Sequence, residues 1–404
     1  MNSPVPSAPQ TAPIPPTAPP TAPPTAGSDA VTTRDWALCI STYNRGRMLR
    51  DCVRHALAST LPPAEIVIVD ASDDWQDNRA RIAELTAAAG NPCPLQYTAA
   101  RRRSLTVQRN QCVAMASADI LFMIDDDALL HPEAAARVMA FYCADQTGHL
   151  AAISLRNAPI EADPGAQDSR KKTSPAAKLG VERPRPMGRA IAFAMRHFLM
   201  IPADQRFVTY DRPQRRWQGD TTLPPGLFPR DFITGFALTL RRPIALREPF
   251  DEGLVGTCMA EDMDASYRFG RHGLLAIAPD AHIHHLEAAA GRGKRRLSTS
   301  LALLNVAYFV RRNSERQPRD LLRYGLWYLR MLAAEFPKDI AGWRWDLPQV
   351  RGALLAGRHL PALLRIPRAD LPAWYQNFQT WLMTGAPPGP GQGNTAASDQ
   401  GANG

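Results

Sequence analysis

The chain has 404 residues, 45% of them hydrophobic, and carries 47 Lys+Arg against 38 Asp+Glu, a formal net charge of +9. That size suits one large domain or two ordinary ones, and no stretch reaches the ~18 apolar residues of a membrane span. The start lacks the basic and apolar regions of a signal peptide. Six scattered cysteines without a C-x-x-C pair indicate reduced thiols in a cytoplasmic protein, not a disulfide frame or a zinc site.

Residues 1–30 repeat TAP and TAPP units with no charge before Asp29, which predicts an extended, disordered Pro-rich tail. ALCIS (37–41) reads as a short strand ending in polar TYNRGR. Helical spacing of Met48, Leu49, Val53, Ala56 and Leu57 follows, and then the β-branched run IVIVD (66–70). This strand–helix–strand order predicts parallel pairing. A helix near 75–89, a strand at 95–98, a helix over 104–116, the buried strand ILFMI (120–124) and a helix over 132–144 complete an open α/β sheet. In such sheets ligands bind beyond the carboxyl ends of the strands. Tyr43–Arg45, Asp70–Asp74 and Asp125–Asp127 all fall there.

Residues 156–230 are rich in Pro, Arg and Gly with weak periodicity, and predict a long excursion over the functional edge with one helix near 188–200. A strand at 233–240, a helix near 260–271, a strand at 274–278 and the segment AHIHH (281–285) come next. One or two amphipathic helices with basic flanks lie between 297 and about 336. Packing on the domain is their favoured role, and resting on a membrane surface is the sharper alternative. Residues 385–404 form a second tail. Arginine clusters at 101–103, 171–189, 294–296 and 311–312 suit phosphate-bearing ligands or an anionic membrane face. No nucleic-acid motif accompanies them.

Three features carry chemistry. At the end of a strand, Asp125 and Asp127 point one way and Asp126 the other. Such a D-x-D serves either a solvated turn or a hard cation, since Mg²⁺ and Mn²⁺ prefer oxygen ligands. In AEDMDASYRF (260–269), Asp264 and Arg268 are spaced for a structural ion pair. Glu261 and Asp262 have no local partner, and are either charges complementing the helix dipole or a base. In HIHH, His282 and His284 fall on one face of a strand and His285 on the other, any one of the three able to ligate a metal.

These segments carry a resemblance. STYNR (41–45), IVIVDASDD (66–74), LTVQRNQCVAMASADILFMIDDD (105–127), ITGFALTLRR (233–242), PFDEG (249–253), AEDMDASYRFGRHG (260–273) and PDAHIHH (279–285) are similar in order and spacing to glycosyltransferase family 2. The resemblance implies an inverting, nucleotide-sugar-dependent enzyme of the GT-A fold, an α/β class with a mixed, mostly parallel sheet flanked by helices and here a C-terminal helical extension. It covers about residues 36–290, within a domain expected over 31–290; the long insertion 156–230, expected to be the acceptor region, departs from the commonest members, and a helical region is expected over 291–384. Thr42, Tyr43, Asn44, Arg45, Asp70, Arg109, Asp125, Asp126 and Gly235 would hold the nucleotide sugar. Asp127, Asp125 and His285, with His284 as the alternative, would bind Mn²⁺ or Mg²⁺. Asp262, beside Glu261, would be the general base. The implied partners are a nucleotide-sugar donor and a glycan or lipid-linked acceptor, with no nucleic acid; the basic 170–189 segment and the arginine-flanked C-terminal helices suggest that the acceptor is anionic or lipid-linked and that the protein contacts an anionic membrane peripherally, at its inner face. The loop ASDDW after the second strand departs from the family's more Gly/Ser/Thr-rich pattern.

Three rivals stand beside this. An aspartate-nucleophile phosphohydrolase would need Thr or Val after its D-x-D, where ALL follows. A sugar-1-phosphate nucleotidyltransferase would open on a Gly-rich phosphate loop, where ALCISTYNR stands. A catalytically silent nucleotide- or glycan-binding module would have no need of Asp127 and Asp262 together.

Overall fold

The structure, a computed structural model, describes residues 35–89, 93–160, 217–256, 258–286 and 295–385. Both tails, the helix expected near 188–200, the basic cluster at 171–189 and most of the 156–230 excursion lie outside the described residues.

The first half alternates strand and helix as its periodicity predicts: β1 (Trp36–Thr42), α1 (Gly46–Leu57), β2 (Glu65–Asp70), α2 (Trp75–Ala88), β3 (Leu95–Ala99), α3 (Leu105–Met115) and β4 (Ile120–Asp125). A two-residue turn, Asp126–Asp127, leads into the short β5 (Ala128–Leu130), followed by α4 (Ala134–Ala144) and β6 (Leu150–Asn157). Beyond the undescribed segment come β7 (Phe228–Pro229), β8 (Ala237–Arg241), α5 (Arg242–Arg247), α6 (Glu261–Phe269) and β9 (Leu274–His285). Four helices close the chain: α7 (Arg295–Asn313), α8 (Gln317–Ala341), α9 (Pro348–Arg365) and α10 (Leu371–Thr384).

The described strands form one nine-stranded sheet in the order β3-β2-β1-β4-β8-β6-β9-β5, with β7 beside β9. β1 to β4 run parallel; β8 is antiparallel to both β4 and β6, so β6 and the parallel β9 share the direction of β1 to β4. The sheet is therefore mixed and mostly parallel. Its central strands read as unbroken apolar runs because both faces are covered. Leu38, Ile40, Ile68, Phe122 and Ile124 pack toward α1 and α4. Cys39, Val67, Val69, Leu121 and Met123 pack on the other face with residues of α3, α5 and α6.

Two elements differ from the sequence reading. The strand expected over 233–240 begins only at Ala237, because the amide of Ile233 is taken by Ser266 Oγ and Gly235 by Asp262. The strands expected at 274–278 and in AHIHH are one strand, β9. Its register with β6 jumps from Leu155↔Ala278 to Arg156↔His282, and the irregularity accommodates Pro279. All six cysteines are free, four of them buried.

The C-terminal helices build a third core around Leu304, Tyr308, Phe309 and Tyr375, joined by Leu254, Cys258 and Tyr267. α7 is buried on nearly all sides and reaches back to the rear of α6. Asn313 Nδ2 donates to Asp264 Oδ1 at 2.6 Å, Asn305 Nδ2 donates to the Met259 carbonyl at 2.7 Å, and Tyr308 OH donates to Asp251 Oδ2 at 2.7 Å. Asp264 also takes the expected ion pair from Arg268, at 2.7 Å, with both side chains buried. Removing one partner of a buried pair strands the other charge, at a cost of about 3–5 kcal/mol. Asp264→Ala should therefore destabilise by about 3 kcal/mol, and Asn313→Ala by about 1–3 kcal/mol. Both are read as shifts in the urea midpoint at unchanged slope.

Candidate active site

The strand order reverses at β1, which has β2 on one side and β4 on the other. A crevice opens where such neighbouring strands send their connections to opposite sides. Ser41 and Asp125 are register partners at its lip, so the turns after β1 and β4 meet there.

The three aspartates divide as their alternation predicts. Asp126 turns inward, accepting from Thr42 Oγ1 at 2.7 Å and pairing with Arg45 Nη1 at 2.9 Å. Burial pushes its carboxyl up to about 6, against the pull of Thr42 and Arg45. Asp125 and Asp127 each turn one oxygen toward His285, while the other oxygen of Asp127 reaches Arg45 Nη1 at 3.5 Å. Asp127 is followed by β5, and β5 pairs with the end of β9 in the register Ala128↔His285. The Leu286 amide closes this junction on the Asp127 carbonyl at 2.9 Å. His285 Nε2 thereby lies 3.2 Å from Asp127 Oδ1, its ring stacked on Phe236 with centroids 4.4 Å apart. One donor atom from each of Asp125, Asp127 and His285 lies within 4.8 Å of the others. His284 faces away, near His131 and His55, where burial and those rings lower its pKa.

Two carboxylates and an imidazole suit a divalent cation of the Mn²⁺ or Mg²⁺ kind, the imidazole favouring Mn²⁺. The donor set and its spacing fit such an ion.

A second carboxylate pair stands on the first turn of α6. Its preceding residue, Ala260, has φ 63°, a left-handed conformation that costs a side-chain-bearing residue about 1–2 kcal/mol. The partner missing from the local sequence is Arg109, from α3. Its buried guanidinium pairs with Glu261 through Nη1, reaches Asp125 Oδ1 at 3.3 Å and donates to the Gly235 carbonyl at 3.1 Å. Asp262 Oδ2 accepts from the Gly235 amide at 3.2 Å, and Oδ1 accepts from the Met263 amide at 2.8 Å. A Cβ at Gly235 would stand 2.8 Å from both Arg109 Nη2 and Glu261 Oε1, so the position admits only glycine without rearrangement. Burial raises the pKa of Glu261, and the charge of Asp262 adds to the rise. Burial raises that of Asp262 as well, opposed by the Gly235 amide and Arg109.

The remaining sequence-predicted residues line the β1 and β2 turns. Tyr43 lies under the Arg103 guanidinium, 3.8 Å from the ring centroid. Asn44 has φ 55°, and its amide donates to Ser72 Oγ at 2.7 Å. Asp70 is buried and accepts four hydrogen bonds from within the chain, from the Ser72 amide and hydroxyl, Asn78 and Tyr97. Its carboxylate thus ties the β2 turn to α2 and β3.

Three contributors went unnoticed in the sequence. Gln108 Nε2 donates to the carbonyls of Thr42 and Val69, fastening the ends of β1 and β2 together. Phe236 backs His285, and Ser72 joins the first two turns. Gln108 precedes Arg109 and Phe236 follows Gly235, so adjacency to a motif residue was the available signal.

Residues 37–198 match the family model for glycosyl transferase family 2. α6 and β9, carrying Asp262 and His285, lie beyond the matched stretch. No curated protein matches the chain. Among solved structures, the mannosyltransferase PcManGT from Pyrobaculum calidifontis, in complex with GDP-Man and Mn²⁺, is 17% identical with a TM-score of 0.46, over 87% of this chain and 86% of that one. S. aureus TarS 1-349 is 14% identical with a TM-score of 0.43, over 87% and 92%. GalNAc-T7 with UDP, GalNAc and Mn²⁺ is 14% identical with a TM-score of 0.47, over 83% of this chain and 59% of that one.

The division of the aspartates is testable by thermal shift. Mn²⁺ at a hundredfold excess over its Kd should stabilise the protein by about 2.7 kcal/mol. Asp125→Asn and Asp127→Asn should each abolish the shift, whereas Asp126→Asn should retain it.

Proposed function

We propose that the chain is an inverting glycosyltransferase. It would move a hexosyl or deoxyhexosyl group from a nucleotide sugar to a hydroxyl of a glycan or lipid-linked acceptor, in the building of a cell-envelope polysaccharide. The observation that carries this reading is the junction at Arg109. There a D-x-D with a matching histidine meets, through one buried guanidinium, a carboxylate pair at a helix start.

In this reading Asp125, Asp127 and His285 would hold a divalent ion, which when bound would supply Lewis-acid chemistry toward the nucleoside diphosphate leaving group. Thr42 to Arg45 and the Ser72-tied loop after β2 shape the nucleotide's seat, with Asp70 and Asp126 holding those loops from beneath. Arg103 and Arg45 add positive charge at the mouth. Asp262 takes the acceptor's proton as the hydroxyl attacks the anomeric carbon, and a single displacement by that hydroxyl inverts the configuration. The Gly235 amide holds one oxygen of Asp262. Glu261 stays locked to Arg109, which leaves Asp262 the freer of the two to act.

The test is release of nucleoside diphosphate from a panel of nucleotide sugars in Mn²⁺, with and without acceptor. Release from none of them would instead support a silent binding module. Asp262→Asn should lower turnover by about 10²–10⁴-fold while donor binding, read by thermal shift, is retained; turnover like the parent's would remove Asp262 from the role of base.

The raised pKa of Asp262 has a sign to check. A base works ionised, so the rate falls as pH drops through its pKa. The acid limb of kcat/KM should then lie above the ordinary aspartate value of about 3.9. Glu261→Gln removes a neighbouring negative charge and frees Arg109 toward Asp262. Both changes favour ionisation, so the limb should move to lower pH.

A further inference from the structure

Most of the large exposed apolar side chains of the described residues are gathered in one place. Of eleven, eight lie between residues 322 and 364, on α8, α9 and the turn joining them. On α8, Leu322, Leu326, Leu329 and Phe336 recur at helical spacing and form one outward ridge. Two turns on, Trp343 and Trp345 are 76% and 69% exposed, their rings edge to face 6.2 Å apart. Such a ridge exceeds the scattered apolar residues normal on a protein surface.

Charge in this region is sorted by side. Between residues 317 and 365 there are eight basic residues, and none is buried. Of the four acidic residues, Asp320, Glu335 and Asp339 are buried, and only Asp346 is exposed. The buried acids have internal work. Asp320 accepts from Ser314, Glu335 from Lys338 and Gln349, and Asp339 from the amides of Gln349 and Val350. At 100° per residue, Arg319, Arg323 and Arg330 run along one flank of the α8 ridge. The outer face is thus apolar along a line, basic beside it and nearly free of negative charge.

From this we infer that the α8–α9 face docks on an anionic lipid surface. The ridge would enter the interfacial layer, Trp343 and Trp345 would sit at headgroup depth and the flanking arginines would meet lipid phosphates. A second copy of the chain is the poorer occupant, because it would bring the same basic flank against this one. The expected amphipathic region thus divides between two roles: α7 is consumed by packing, and α8 carries the exposed stripe. No described helix is long and apolar enough to cross a membrane, so the contact is peripheral.

The test uses the full chain and sedimentation with phosphatidylcholine vesicles, with or without phosphatidylglycerol. The chain should pellet with the anionic vesicles and not with the neutral ones. Leu326→Glu with Leu329→Glu should lower the partition coefficient by about tenfold or more, and Arg323→Glu with Arg330→Glu by a similar factor. Trp343→Ser with Trp345→Ser alters only an exposed turn and serves if a helix variant melts early. Failure of the parent to bind anionic vesicles at low salt overturns the inference, as does unchanged binding by well-folded ridge variants. So does a dimer that the ridge variants dissociate while vesicles capture nothing. The result is independent of the glycosyl-transfer reading, since vesicle binding needs no donor. Donor-dependent release of nucleoside diphosphate in vesicle-free buffer should be the same for parent and ridge variants.

Discussion

A single buried cation holds the site together. The guanidinium of Arg109 is enclosed among Glu261, Asp125 and the Gly235 carbonyl. Removing such a group from water costs several kcal/mol, repaid only by well-placed opposite charge. The acidic residues around it are subject to the same constraint. Asp125, Glu261 and Asp262 could not be crowded together without a positive charge between them. Arg45 does similar work on the other side of the D-x-D, between Asp126 and Asp127.

The sheet explains why these charges meet. Strand reversal at β1 opens the crevice, and the β4 turn delivers the aspartates to its edge. β5 then enters the sheet against β9, which fixes Asp127 and His285 side by side through backbone register alone. Gly235 lets α3 and α6 close on the same backbone strand of loop, one through its carbonyl and the other through its amide. α7 holds α6 from behind, so the C-terminal helices belong to the architecture of the site.

Much of this was legible in the residues. The β-branched runs and their helical spacers specified the parallel half of the sheet, and the period of two along Asp125–Asp127 foretold which carboxylates diverge. The Asp264–Arg268 pair followed from helical spacing. What could not be read was anything set by long-range pairing. That Arg109 answers Glu261 depends on contact across 152 residues. Which histidine stands beside Asp127 turned on the register of β5 against β9, which the pattern HIHH leaves open. The merger of two expected strands into β9 depended on a partner strand that tolerates an irregularity at Pro279. Asp70 shows a different limit: the motif marks a residue at the end of β2, but four internal donors decide what its carboxylate touches.

The hold of Asn313 on Asp264 bears on how the protein is made. A chain emerging from its N-terminus can lay down β1 to β4 early, because their contacts are local enough to close small loops. The acidic helix cannot be finished then. Arg109 must wait for Glu261, and Asp264 must wait for Asn313, 49 residues later still. Until that residue arrives, Asp264 has its Arg268 partner but lacks the amide donor that ties α6 to α7. The competent geometry is thus a late event in synthesis, and the C-terminal helices act as its closing step.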